Sequence, residues 1–192
     1  GMKDTSHRVS ADGASRLVPV HWKKNGQVVP CGETHGCSVR ALGDPEINTY
    51  TQDKVLKRGS SGLTGTAEDY WRFAQMMLNG GELNGHRFLS PVTVRHVARD
   101  HLGEVSVRNG TGESIGTGWG LGFAVVKDAA AAAALIPDGS YYWAGAANTF
   151  FWIDPANDIV VVAMTQSMDP EMAGWPALRE QLGAMVYGAL ME

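Results

Sequence analysis

The sequence predicts an α/β fold of the α+β kind, an antiparallel sheet with helices packed on it, one of them C-terminal. Three observations carry this. Residues 66–79 form a capped segment with apolar side chains at helical spacing. Strand-like apolar segments at 119–126, 149–153 and 159–165 are separated by turn-forming residues. A last apolar stripe follows Pro176, and strands closed by such a helix point to a sheet with helices laid against it.

The 192 residues fit a single domain, and 44% hydrophobic against 19% charged residues is the balance of a folded globular chain. A net charge of -4 offers no electrostatic footprint for nucleic acid or an anionic membrane. No stretch approaches the ~20 apolar residues of a membrane span. The 24 glycines favour turns, hairpins and close backbone approach. Cys31 and Cys37, with only His35 as another ligand between them, read as two loop thiols, with a local disulfide as the alternative, rather than a metal site.

Residues 1–58 read as largely irregular, and residues 59–192 as the helix and sheet core. Within the first part Val18, Val20 and Trp22 alternate, and Lys24-Asn25-Gly26-Gln27 has the composition of a hairpin turn before Val28 and Val29. So much irregular chain is expected only where it lines a site or packs on another segment.

The core elements follow in order. Thr66 is a natural N-cap, and Glu68 and Asp69 in the first turn suit the positive end of the helix dipole. Tyr70, Phe73, Ala74, Met77 and Leu78 form the apolar face, with Met76 and Met77 assigned to the core. Asn79-Gly80-Gly81 stops the helix. Ser90-Pro91 starts a second, short helix with Val94, Val97 and Ala98 inward. Residues 119–126 are expected as one strand broken by Gly120 and Gly122. The alanine run 129–134 reads as an insertion in a long hairpin loop ending at Pro137-Asp138-Gly139. Asp154-Pro155-Ala156-Asn157-Asp158 is a turn between two strands. In the final helix Leu178, Leu182, Met185, Val186 and Leu190 form the stripe.

Six pieces in order resemble the C-terminal half of the serine β-lactamase family, which includes class C β-lactamases, penicillin-binding proteins and related esterases. They are Gly1-Met2-Lys3-Asp4-Thr5; Gly62-Leu63-Thr64-Gly65-Thr66 through Met77-Leu78-Asn79-Gly80-Gly81; Leu89-Ser90-Pro91-Val92-Thr93-Val94; Gly118-Trp119-Gly120-Leu121-Gly122-Phe123; Tyr142-Trp143-Ala144-Gly145-Ala146-Ala147-Asn148-Thr149; and Trp152-Ile153-Asp154-Pro155 with Met164-Thr165-Gln166. The resemblance implies a β-lactamase/transpeptidase-like fold, here incomplete. Two positions depart from the esterase-like pattern. Ala144 replaces a glycine and is expected to put a methyl group beside the cleft. Asn148 replaces another, at a turn where asparagine tolerates left-handed backbone.

The family's chemistry, by resemblance, is acyl transfer. The serine of Ser-x-x-Lys attacks a carbonyl, while the lysine and a Tyr-x-Asn tyrosine handle protons. Serine and lysine three apart share a helix face, so the amine can assist the hydroxyl. Neither motif occurs here: no serine is followed three residues on by lysine, and no tyrosine two residues on by asparagine. No catalytic residue is therefore assigned. The resemblance places Trp143-Ala144-Gly145 at the Lys-Thr-Gly-like wall and makes the Ala146 N–H one oxyanion donor. The implied partner is the missing N-terminal part of the enzyme, with homodimerisation through the face it leaves exposed as a related expectation. Trp143 in place of a lysine argues against a true β-lactamase, whose substrate carboxylate needs a cation.

Other features carry less. Glu68 and Asp69 serve the helix start and are no acid/base dyad. His7, His21, His35, His86, His96 and His101 show no ligand spacing, so no metal or cofactor is expected. Gly118, Gly120 and Gly122 lie in a strand and precede no helix, unlike a phosphate loop. Tyr141 and Tyr142 are expected to cover apolar surface. Ser60 or Ser61 as an independent nucleophile lacks an assignable base. Two functions compete: a hydrolase fragment silent by itself, and a non-catalytic interaction domain that retains the half-fold.

Overall fold

The computed structural model describes residues 1–24, 27–30, 57, 59, 62–105, 107–109, 112–145, 147–167 and 175–190. Cys31, Cys37, His35, Ser60, Ser61 and Ala146 lie outside the described residues. A hairpin of β1 (His21–Lys24) and β2 (Gln27–Pro30) precedes helix α1 (Ala67–Leu78). A second hairpin, β3 (Glu82–Leu83) and β4 (His86–Arg87), leads to α2 (Pro91–Val97), and a third is β5 (Val107–Asn109) with β6 (Gly112–Ser114). Then come β7 (Thr117–Trp119), β8 (Ala124–Val126), β9 (Tyr141–Ala144), β10 (Phe150–Asp154), β11 (Ile159–Ala163) and helix α3 (Trp175–Gly188).

The last five strands make one antiparallel sheet in the order β11-β10-β9-β8-β7, so each strand pairs with its sequence neighbour. Alternation along the strands divides its side chains between two cores. Val125, Tyr141, Phe151 and Ile153 face the helix α1 side, where they meet Met77, Val94 and Phe123. Val126, Phe150 and Trp152 face the other side, with Leu178, Leu182, Val186 and Tyr187 of α3 over them. Both faces are covered, and all five residues of β10 are buried.

The helix starts obey the capping chemistry. The Thr66 hydroxyl accepts the Asp69 N–H at 3.1 Å, and Ser90 Oγ accepts the Thr93 N–H at 3.0 Å ahead of Pro91. At the end of α1, Gly80 (φ +67°) and Gly81 donate to the carbonyls of Met77 and Met76, a Schellman closure. Gly81 has a second reason: a Cβ there meets the Leu89 carbonyl oxygen at 2.2 Å.

Several expectations shift. Residues 119–126 are two strands rather than one, because the Gly120 N–H donates to Phe123 O (2.8 Å) and folds β7 back on β8. The 129–134 run does lie in the β8–β9 loop as expected, and takes turns in spite of alanine's helix propensity. In the last helix Met185 is 70% exposed and Leu190 lies beyond the helix end, half exposed; Tyr187 takes the inward position instead. Asp69 does more than suit the helix dipole. It is buried and its Oδ2 accepts the Asp4 N–H and the Thr5 hydroxyl, both at 2.8 Å. With the Ser6–Thr64 bridge, this ties residues 4–6 to the start of α1. Burial opposes the charge on Asp69, but the Thr5 hydroxyl and the Asp4 and Lys3 N–H groups outweigh it and hold the carboxyl below the usual range.

Fully buried Asp154 is satisfied by four donors. It accepts the N–H groups of Ala156 and Asn157, the Asn157 amide at 2.7 Å and the Tyr187 hydroxyl at 2.9 Å. One carboxylate thus shapes the β10–β11 turn and docks α3. Burial, then the bond to Asp154, pushes the Tyr187 phenol upward, so it remains a neutral donor. Arg179 reinforces the docking, 4.8 Å above the Tyr142 ring. Tyr187→Phe leaves the buried carboxylate short of one donor. It is expected to lower stability by about 1.5–3 kcal/mol, read as an earlier urea midpoint at unchanged m-value.

Candidate active-site wall

The β9–β10 connection is the part of the molecule built most like a functional edge. Residues 146–148 join Gly145 to Thr149, and the Gly145 N–H donates to Thr149 O at 2.8 Å. Asn148 closes this three-residue loop at φ +57°, the left-handed conformation such a hairpin needs. Its own N–H donates to Gly145 O (3.1 Å), and its side-chain amide donates to Ser167 O (2.8 Å). A side chain on Gly145 has no room, since its Cβ falls 2.5 Å from Thr149 Oγ1.

The loop is braced from below by the segment after β11. The Thr165 hydroxyl lies 2.6 Å from Ala147 O and 3.0 Å from Asn148 O, and the Ser167 N–H donates to Ala147 O. Gln166 O in turn accepts the His21 N–H, so the β1 strand closes over this segment. Two carbonyls of the loop are thereby held in place, which orients its backbone without any contribution from a ligand.

Of the expected wall residues, Trp143 pairs with Phe151 and so shares the face that α1 covers, but it lies past that cover and is 45% exposed. Ala144 pairs with Phe150 and packs into the core under α3. Its methyl group therefore points to the α3 side, opposite to Trp143, because successive strand residues point to opposite faces. Gly145 sits in the loop. Ala146, the expected oxyanion donor, lies outside the described residues.

Sequence reasoning missed Trp119. Its ring meets Trp143 edge to face, with centroids 4.6 Å apart at 80°. Its backbone is held at both ends: the N–H donates to Asp100 Oδ1 (2.9 Å), and the carbonyl accepts the His101 N–H (2.8 Å). Asp100 also accepts the N–H groups of Leu102 and Gly103 and the Lys127 ammonium at 3.0 Å. Gly118 suits this place, since a Cβ there runs into the Asp100 carboxylate. The available signal was an aromatic residue between Gly118 and Gly120, where the backbone must approach something closely.

The histidines are also less scattered than expected. His96 and His101 meet edge on at 4.8 Å, and His101 Nε2 donates to the His96 carbonyl at 2.7 Å. A hollow of about 550 Å³ opens on the α1–α2 side between Leu78, Val94, Val125 and Tyr141, and its lining includes none of Trp143–Gly145.

A family model for Beta-lactamase matches residues 1–184. This chain belongs to the β-lactamase family. Protein Rv1367c of Mycobacterium tuberculosis (strain ATCC 25618 / H37Rv) is 31% identical over 172 residues, covering 86% of this chain and 40% of the relative. Esterase EstB of Burkholderia gladioli is 28% identical over 184 residues, covering 91% of the chain and 43% of the esterase. Among solved structures, EstCE1, a hydrolase with promiscuous acyltransferase activity, superposes with a TM-score of 0.72 at 23% identity. That match covers 97% of this chain and 47% of the other. The β-lactamase-type fold is thus shared, and the chain spans less than half the length of the relatives it matches.

Burial disfavours the Asp100 charge, yet the Trp119 and Leu102 N–H groups and Lys127 outweigh it and hold the carboxyl at about 2. A carboxyl held below its unfolded value, about 3.9, stabilises the folded chain above that pH. The contribution is lost as pH falls toward 2. Asp100→Asn is expected to flatten the decline of the melting temperature between pH 4 and pH 2, measured by circular dichroism.

Proposed function

We propose that this chain supplies the oxyanion-strand wall of a serine-type acyl hydrolase whose nucleophile lies on a segment outside it. The observation that carries this is the braced Gly145–Thr149 loop, held by Thr165 and Asn148 beside exposed Trp143. In the complete site a serine oxygen from the other segment bonds to the substrate carbonyl carbon, and the carbonyl oxygen becomes an oxyanion facing the N–H of residue 146. The alcohol leaves with a proton, and water then releases the acyl group from serine. A single donor of this kind contributes about 3 kcal/mol to the transition state.

The chain itself carries neither Ser-x-x-Lys nor Tyr-x-Asn. Ser140 is fully buried on the sheet, with its hydroxyl unpaired, and no ester reaches it. Esters rather than β-lactams are favoured by the family relative from Burkholderia gladioli, an esterase, and by Trp143 where a carboxylate-binding cation is otherwise needed. The test is intact-mass spectrometry after incubation with a fluorophosphonate probe, with a penicillin run in parallel. The chain by itself is expected to take no adduct. A polypeptide joining it to a segment with Ser-x-x-Lys and Tyr-x-Asn takes one equivalent. An adduct on the chain alone, or none on the joined protein, overturns the proposal.

A further inference from the structure

We propose that Trp119 and Trp143 together form the subsite for an uncharged aromatic or bulky apolar acyl group. This rests on the hydrolase reading above and names its substrate class. Trp143 stands at the end of β9, two residues before the braced loop, and its exposed ring is fixed by an edge-to-face contact with Trp119. An indole held this way loses little freedom when a ligand ring arrives, so its apolar surface is available at low entropic cost.

The position of Trp119 is over-determined for a surface side chain. Both its backbone groups are bonded, and the carboxylate that takes its N–H has three further donors. The arrangement keeps one ring against the other independently of any ligand. Among the described residues, Lys127 and Arg179 offer no free charge to an anionic substrate. Lys127, just past β8, is occupied by Asp100 and by Gly103 O, and Arg179 is spent on the Tyr142 ring. Tyr142 packs with the core under α3, on the face opposite Trp143. A neutral acyl group in contact with the two indoles therefore meets the wall without leaving a buried charge unpaired.

Binding is separable from chemistry, because this chain can be titrated without a nucleophile. The measurement is a ¹H–¹⁵N spectrum of the indole N–H groups during addition of methyl benzoate, with benzoate as the charged counterpart. Saturable shifts are expected at Trp119 and Trp143 with the ester, and weaker ones with the anion. Trp71, also exposed but on α1, is the internal control and stays in place. Trp119→Leu, which keeps apolar volume, is expected to weaken ester binding roughly threefold to tenfold, with an unchanged far-ultraviolet spectrum reporting the fold. Trp143→Leu gives the same loss and covers the case in which the first variant does not fold. No saturable shift, equal shifts at Trp71, or unchanged affinity in folded variants overturns the subsite. None of those results bears on whether the joined protein takes a fluorophosphonate, so the two readings fail separately.

Discussion

Strand β10 has water on neither side, and most of the molecule is arranged to meet that condition. Phe151 and Ile153 require cover on one face, Phe150 and Trp152 on the other, and the two helical layers supply it. The same alternation reaches the candidate site. Because Trp143 is opposite Phe151 and Ala144 opposite Phe150, the exposed indole and the partly buried methyl are assigned by register. A slip of one residue exchanges them and places Trp152 where α1 now packs. Which face each wall residue of β9 takes is therefore set by the register that the core fixes.

What surrounds that wall is polar bracing. Thr165, Asn148 and Ser167 hold the loop after β9, and Asp100 holds the end of β7. These bonds are made before any ligand is present, and they hold the Ala147 and Asn148 carbonyls in place. The braces come from segments far apart in sequence, which makes the site a property of the folded sheet rather than of one motif.

That distinction explains what the sequence disclosed. The caps at Thr66 and Ser90 and the turn at 155–158 depend on side chains bonding to nearby backbone, the stop after α1 on glycines free to take positive φ, and each was legible. The Asn84-Gly85 turn between β3 and β4 was equally local, with φ of +52° and +78°, and its dipeptide was a sufficient signal that went unread. The second role of Asp69 was not legible, since its partners Asp4 and Thr5 lie more than sixty residues away. The Trp119–Trp143 contact was hidden for a related reason: the two rings meet only after β7 folds back on β8 and β8 pairs with β9. Met185 and Leu190 fitted the helical stripe by spacing, but Tyr187 had a buried carboxylate to reach, and that decided which side turned inward.

The bond between Tyr187 and Asp154 also bears on how the molecule opens. A C-terminal helix docked only by apolar contacts can fray from its sheet at low cost, exchanging its amide protons long before the strands do. Here release of α3 strips a donor from a carboxylate at the end of β10, while the strand cannot separate without disturbing the helix. The helix and the β10–β11 hairpin are thereby joined into one cooperative unit, and α3 acquires the lifetime of the interior.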